Sequence, residues 1–74
     1  MINMLEQNKM TKMIYGLLHF EEQAFKMYTN DFHQDVIEWH GNKIVVGDNF
    51  LSLNGYLQDD INEVMTFVKT TCEA

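Results

Sequence analysis

Residues 36–46 read Val-Ile-Glu-Trp-His-Gly-Asn-Lys-Ile-Val-Val and carry the strongest fold signal in the chain. β-Branched and aromatic residues stand on both sides of Gly41-Asn42, and a two-residue loop of this kind is typical of a type I′ or II′ hairpin turn. That loop pairs Trp39 with Ile44. Side chains alternate between the two faces along each strand, so residues two positions away from Trp39 and from Ile44 lie on the same face as these two. We take that face as the core face, on which Trp39 is expected to be buried against the opening helix; it is formed by Ile37, Trp39, Ile44 and Val46.

The segments around this hairpin complete an α+β pattern. Gly47-Asp48-Asn49 predicts a second turn, and residues 50–53 predict a short third strand. Helical periodicity precedes and follows these strands. We therefore predict one α+β domain over residues 1–74, with a long N-terminal helix, an antiparallel hairpin or three-stranded meander, and a C-terminal helix packed on one sheet face.

The N-terminal helix is expected over residues 4–29. Asn3 and Glu6 have the spacing of a capping box, and an apolar stripe runs from Met10 to Tyr28. At about 39 Å such a helix would exceed a domain of about 30 Å across. The helix is therefore expected to break near Asn8 or Gly16, or to protrude and pack on another chain.

An acid lies inside this apolar stripe, because Glu21 falls between Leu17 and Phe25 on the helical wheel. A carboxylate among apolar side chains needs a partner, a proton or contact with water. This points to an interaction surface. The residues expected to mediate self-association are Met10, Leu17, Glu21 and Tyr28.

The C-terminal helix is expected over residues 56–71. Its apolar stripe is formed by Leu57, Ile61, Val64, Met65, Val68 and Cys72. Acids are concentrated in its first half, as the helix dipole favours. Alternatively, Asp60 and Glu63 form a capping pair, and the helix then starts later.

The charge is strongly negative, with 11 acids, 5 lysines and no arginine, for a net charge of −6. Residues 1–20 sum to +1 (two lysines, one acid) and residues 21–74 to −7 (three lysines, ten acids). Such a surface repels nucleic-acid phosphates and attracts basic proteins. No N-terminal leader and no long apolar run is present, and Cys72 is the single cysteine, so a cytoplasmic location without membrane contact is expected.

No catalytic or cofactor-binding motif is present, and we expect a protein that is not an enzyme and needs no cofactor or metal. One alternative is the alternation of acid and histidine over residues 31–35, which on an extended strand would bring two carboxylates and an imidazole to one face. Exposed acids in a loop explain the same pattern. Cys72 lies on the apolar stripe of the last helix and is expected to be a buried thiol.

In composition, the chain resembles small acidic proteins that bacterial viruses make to block host enzymes or defence nucleases, including anti-CRISPR proteins. The resemblance implies a DNA-mimicking inhibitor in the host cytoplasm that occupies a basic surface of a nucleic-acid-binding protein. A homodimeric structural or regulatory module that uses the first helix as its interface is the alternative. The acids expected to contact the partner are Asp31, Asp35, Glu38, Asp48, Asp59, Asp60 and Glu63.

Overall fold

The computed structural model describes residues 7–73, so the capping box expected at Asn3 and Glu6 lies outside the described residues. The α+β class is confirmed, with five strands in place of the two or three expected; they form one antiparallel sheet in chain order. The elements are α1 (Gln7–Phe20), β1 (Lys26–Thr29), β2 (Asp35–Trp39), β3 (Asn42–Val46), β4 (Leu51–Leu53), β5 (Tyr56–Gln58) and α2 (Ile61–Glu73).

Helix α1 ends at Phe20, so the helix expected over residues 4–29 is wrong in its second half. Gln23 donates its N–H to the Leu18 carbonyl at 3.0 Å, and Glu22 donates to His19 at 3.1 Å. Glu22 has a φ of 57°. These two hydrogen bonds around a left-handed residue define a Schellman motif, in which Glu22 occupies the position that glycine usually takes. The chain therefore reverses before residue 26.

The four residues Lys26–Thr29 form a strand that pairs with β2, with Lys26 opposite Glu38 and Tyr28 opposite Val36. This strand is the first in the sheet order and therefore lies at an edge of the sheet. Aromatic and β-branched residues favour this extended conformation. The break expected near Gly16 is also wrong, because α1 continues through that position. Asn8 lies one residue from the start of the described residues, so a break near it stays a prediction. No long helix protrudes from the described residues, whose largest dimension is 29 Å.

The central hairpin has the expected core face but a different register. Its loop is His40-Gly41, with φ values of 44° and 81°, as a type I′ turn requires. Trp39 therefore pairs with Asn42, and Glu38 faces Lys43. Type I′ turns favour glycine at the second central position, which this loop provides. The partner of Trp39 is therefore two residues earlier in β3 than expected. Because side chains alternate with a period of two, this shift leaves the strand side chains on their expected faces.

The third strand is confirmed as β4, and β5 follows it through a tight Asn54-Gly55 turn with φ values of 51° and 91°. The turn between β3 and β4 is closed by a hydrogen bond from the Gly47 N–H to the Phe50 carbonyl. The Phe50 ring lies where a Gly47 side chain would begin, 2.0 Å from an ideal Cβ. Glycine at this position therefore leaves room for the ring to pack on the strand.

Helix α2 begins at Ile61, which confirms the later start and excludes the start at residue 56. Asp60 caps the helix, since its Oδ1 accepts a hydrogen bond from the Asn62 N–H at 2.8 Å. Leu57 lies on β5 and is 76% exposed, so it is not part of the helical stripe. The other stripe positions face inward: Ile61, Val64 and Val68 are buried, and Met65 is half-buried. Cys72 is also only half-buried, so the fully buried thiol expected there is wrong.

Both helices cover the same face of the sheet and share one core with it. The predicted burial of Trp39 is confirmed at 2% exposure. The opening helix was the expected cover, but the ring contact of Trp39 is with Phe67 of α2, edge to face at 6.4 Å. The opposite sheet face, called here the open face, carries Lys26, Tyr28, Glu38 and Lys43. The core cluster consists of Met10, Ile14, Leu18, Ile37, Trp39, Ile44, Val46, Leu51, Ile61, Val64 and Val68.

The Schellman motif predicts the sign of a substitution at Glu22. Glu22→Gly is expected to stabilise the protein by about 1 kcal/mol, because glycine adopts positive φ without the steric cost of a side chain. In a helix continuing to residue 29, the same change would instead destabilise by about 1 kcal/mol. Chemical denaturation distinguishes the two. Gly16→Ala is the control, since its Cβ meets nothing within 4 Å and should add about 1 kcal/mol in either case.

Candidate functional site

The meander gathers most of the candidate acids at one end of the sheet. Because adjacent strands are antiparallel, the β1–β2 turn, the β3–β4 turn and the exit of β5 lie at the same end. Helix α2 also starts there, directly after β5. Glu38 is the exception among the candidates, since it lies on the open face near the other end of β2. The six acids at this end, called here the acidic end, are Asp31, Asp35, Asp48, Asp59, Asp60 and Glu63.

Asp35 fastens α1 to the sheet and is not an open contact residue. Its Oδ2 accepts a hydrogen bond from the Thr11 hydroxyl at 2.8 Å, and its Oδ1 accepts one from the Thr29 hydroxyl at 3.4 Å. Thr11 is 7% exposed, so the first of these bonds is largely shielded from water. Asp35 is therefore expected to stabilise the fold through these hydrogen bonds, and its main role is not contact with a partner.

Asp31 is exposed on a turn that Asn30 organises. The Asn30 Oδ1 accepts hydrogen bonds from the backbone N–H groups of Phe32 at 2.9 Å and Gln34 at 3.0 Å. His33 has a φ of 61° in this turn. Residues 31–34 are therefore not an extended strand, and the geometric basis of the metal alternative is wrong. Among the side chains that the structure describes, no group of three or more His, Cys, Asp or Glu is placed to hold a metal ion.

The remaining acids of this end are exposed, but they differ in their structural roles. Asp60 is the cap of α2, and Glu63 lies in the first turn of that helix, where negative charge is favoured by the dipole. Asp48 is exposed on the β3–β4 turn, and Asp59 is exposed between β5 and α2. The N-termini of both helices point to this end, and Lys9 lies there in α1, so the local charge is negative but partly offset.

Glu38 belongs to a separate polar cluster on the open face. It lies between Lys26 and Lys43 on neighbouring strands, and it accepts a hydrogen bond from the Tyr28 hydroxyl at 2.5 Å. The Lys26 Nζ lies 5.3 Å from the centre of the Tyr28 ring. The hydrogen bond to Glu38 raises the pKa of the Tyr28 phenol, with smaller contributions from desolvation and from the carboxylate charge.

The four residues expected to mediate self-association do not form one surface. Met10 is fully buried in the chain's own core, and Leu17 packs against that core. Glu21 lies half-buried in the turn after α1, which places it outside the helical stripe. Tyr28 lies on β1 and points to the open face. Self-association through the first helix stays a prediction, but the continuous stripe on which it depended is absent.

A groove beside β1 was not expected from the sequence. This groove of about 510 Å³ lies between α1 and the edge strand. Lys12 and Tyr15 line its helical wall, and Met27 and Thr29 line its strand wall. Tyr15 and Met27 are 41% and 47% exposed. The consecutive Tyr28 and Thr29 were the available signal for a strand here, because both residue types favour extended structure.

Comparison with known proteins finds no matching family model, no matching curated protein and no matching solved structure. Neither α1 nor α2 combines the length and hydrophobicity that a membrane-crossing helix would need in the described part of the chain. The geometry of the acidic end and of the β1 edge therefore carries the functional argument.

The Tyr28–Glu38 contact predicts a change in titration. In Glu38→Gln, the pKa of Tyr28 is expected to fall toward its ordinary value, because the charged acceptor is lost. The folded-state pKa of Tyr28 is raised, so the stabilisation from this contact is present below the unfolded-state pKa and is lost as pH rises through the folded pKa. Site-resolved NMR titration of the tyrosine rings measures the pKa, and chemical denaturation at several pH values measures the change in stability. An unchanged Tyr28 midpoint in the variant, with Tyr15 as internal control, would contradict the contact.

Proposed function

We propose that this protein is an acidic protein-binding module that engages a basic surface of a partner through its acidic end. The observation that carries the proposal is the placement of exposed Asp31, Asp48, Asp59 and Glu63 at one end of the sheet. The chain as a whole has a net charge of −6 and no arginine. Such a surface favours a basic protein partner and disfavours nucleic acid.

Collective electrostatics supports this function better than any one ion pair does. An exposed ion pair contributes about 0–1 kcal/mol, so four separate pairs would not by themselves produce tight binding. Several acids on one surface nevertheless speed association with a basic partner and fix its orientation. The two lysines of the open face, Lys26 and Lys43, lie on a different surface. The four exposed acids at one end of the sheet give the module a preferred docking end for a basic partner.

We further propose that binding inhibits the partner by replacing nucleic acid on its basic surface. Carboxylates then stand where the partner expects phosphates. The compositional resemblance to small inhibitors from bacterial viruses supports this finer reading, and the acidic end supplies the surface it needs.

Two variants with equal net charge test the proposal. Asp48→Lys/Glu63→Lys reverses two exposed acids of the acidic end, and Glu21→Lys/Glu22→Lys reverses two acids at the other end. Each changes the net charge from −6 by +4 to −2. Asp35 and Asp60 are left intact because both have structural hydrogen bonds. Circular dichroism and thermal unfolding establish that both variants fold.

Affinity capture from nuclease-treated bacterial lysate compares the two variants with the native chain. The acidic-end variant is expected to capture at least tenfold less of a specific basic partner than the native chain, while the other variant captures as much as the native chain. The retained complex should weaken as salt rises, and added duplex DNA should release the partner. Equal capture by both variants, or equal loss from both, would contradict a localised acidic binding surface.

A further inference from the structure

We propose that the exposed edge of β1 pairs with β1 of a second copy, antiparallel and about a twofold axis at Tyr28. Two five-stranded sheets then become one continuous sheet. The partner is a second copy of this chain, and the interface is the strand edge, not a helical face. The proposal does not depend on the proposed function.

The backbone supplies the first argument, because the outward groups of β1 are self-complementary. Asn30 donates its N–H to the Gln34 carbonyl at 3.0 Å, which marks a hydrogen-bonded pair. Such pairs alternate along an antiparallel ladder, so Tyr28 also directs its N–H and C=O toward β2. Met27 and Thr29 therefore direct theirs outward. An axis at Tyr28 sets Met27 of each copy opposite Thr29 of the other. The outward N–H and C=O groups of both residues then form hydrogen bonds with the second copy.

The groove beside β1 supplies the second argument. On the helix side of the sheet, Met27 of the second copy would lie next to Thr29, in the groove whose walls include Tyr15 and Lys12. Met27 and Tyr15 are 47% and 41% exposed, and this pairing covers both. A methionine suits this position because its flexible thioether adapts to an irregular surface.

Charge and ring placement supply the third argument. On the open face, the two Tyr28 side chains lie directly opposite each other, and aromatic pairs in this position stabilise antiparallel strands. The same register sets Lys26 of each copy opposite Asn30 of the other, one residue from Asp31. Because of the twofold axis, this approach of a lysine to an aspartate occurs at both ends of the paired strands. The net charge of −6 on each copy opposes association, so added salt should strengthen the dimer.

Sedimentation equilibrium on two variants of Thr29 tests the edge. Thr29→Pro removes the outward N–H and adds a ring on that edge, which an edge strand tolerates in its own sheet. Thr29→Val loses the same hydroxyl but retains the N–H. The native chain and Thr29→Val are expected to reach twice the 8.7 kDa chain mass, and Thr29→Pro is expected to require at least tenfold higher concentration. A native chain that stays monomeric at high concentration, or equal association of both variants when circular dichroism shows both folded, overturns the proposal.

Cross-linking tests the register. In Tyr28→Cys/Cys72→Ala the two new thiols lie in a non-hydrogen-bonded pair, where Cα atoms are about 4.5 Å apart and a disulfide can form. In Met27→Cys/Cys72→Ala the thiols are diagonal, about 7–8 Å apart, at or beyond the limit of a disulfide. Mild oxidation should therefore cross-link the first variant at least tenfold faster than the second. Preferential cross-linking of the second variant overturns the Tyr28 axis.

The acidic-end variant separates this proposal from the proposed function. Asp48→Lys/Glu63→Lys leaves β1 unchanged and should dimerise at least as well as the native chain. Thr29→Pro leaves all the acids in place and should still capture a basic partner. Loss of dimerisation in the acidic-end variant would overturn the β1 interface and leave the function of the acids as a separate question.

Discussion

The hydrogen-bonded reversal after α1 is the constraint on which the rest of the structure depends. The bond from the Gln23 N–H to the Leu18 carbonyl ends the helix and turns the chain back along the sheet. Residues 26–29 are thereby available to pair with β2. If the helix continued, β2 would become the edge of the sheet, and Glu38 would lose both Tyr28 and the neighbouring Lys26. This reversal requires a positive φ at Glu22, a conformation that is sterically unfavourable for a residue with a side chain.

The polarity of the surface follows from the topology that this reversal begins. A meander places alternate turns at opposite ends, and in this chain the connections that contain aspartate, at 30–34, 47–50 and 59–60, alternate with the turns at 40–41 and 54–55, which contain no acid. The acids are therefore separated in space by strand order, although they are spread through the sequence from residue 31 to residue 63. The same meander leaves β1 as an outer strand. The topology thus gives the two proposed interfaces separate places, the acidic end for a basic partner and the β1 edge for a second copy.

Much of the fold follows from the sequence because burial and turn chemistry agree with it. The core face of the hairpin was predictable from alternation, and Trp39, Ile44 and Val46 lie on that face. The hairpin register was not, since Gly41 fits both His40-Gly41 and Gly41-Asn42 loops. The structure has the His40-Gly41 loop, which sets Glu38 opposite Lys43. The cap at Asp60 was recognisable, and it correctly indicated the later start of α2.

The end of α1 could not be read from the sequence for a physical reason. Its left-handed residue is Glu22 where glycine is usual, and helical periodicity continues by coincidence through Met27 and Tyr28. In the strand these two residues point to opposite faces, so the apparent stripe does not exist in the structure. The site predictions inherited this error at Glu21 and Tyr28. Asp31, Asp48 and Asp59 depended less on it, because these loop positions stay exposed whichever helix boundary holds.

The most direct measurement of the central claim is the nuclear Overhauser effect between the α protons of Met27 and Ile37. These residues face each other in a non-hydrogen-bonded pair, the pair type that brings backbones of antiparallel strands closest. The account predicts a strong effect between these two protons and another between Thr29 and Asp35. A ladder of effects between residues three apart through positions 21–29, with neither cross-strand effect present, would contradict it.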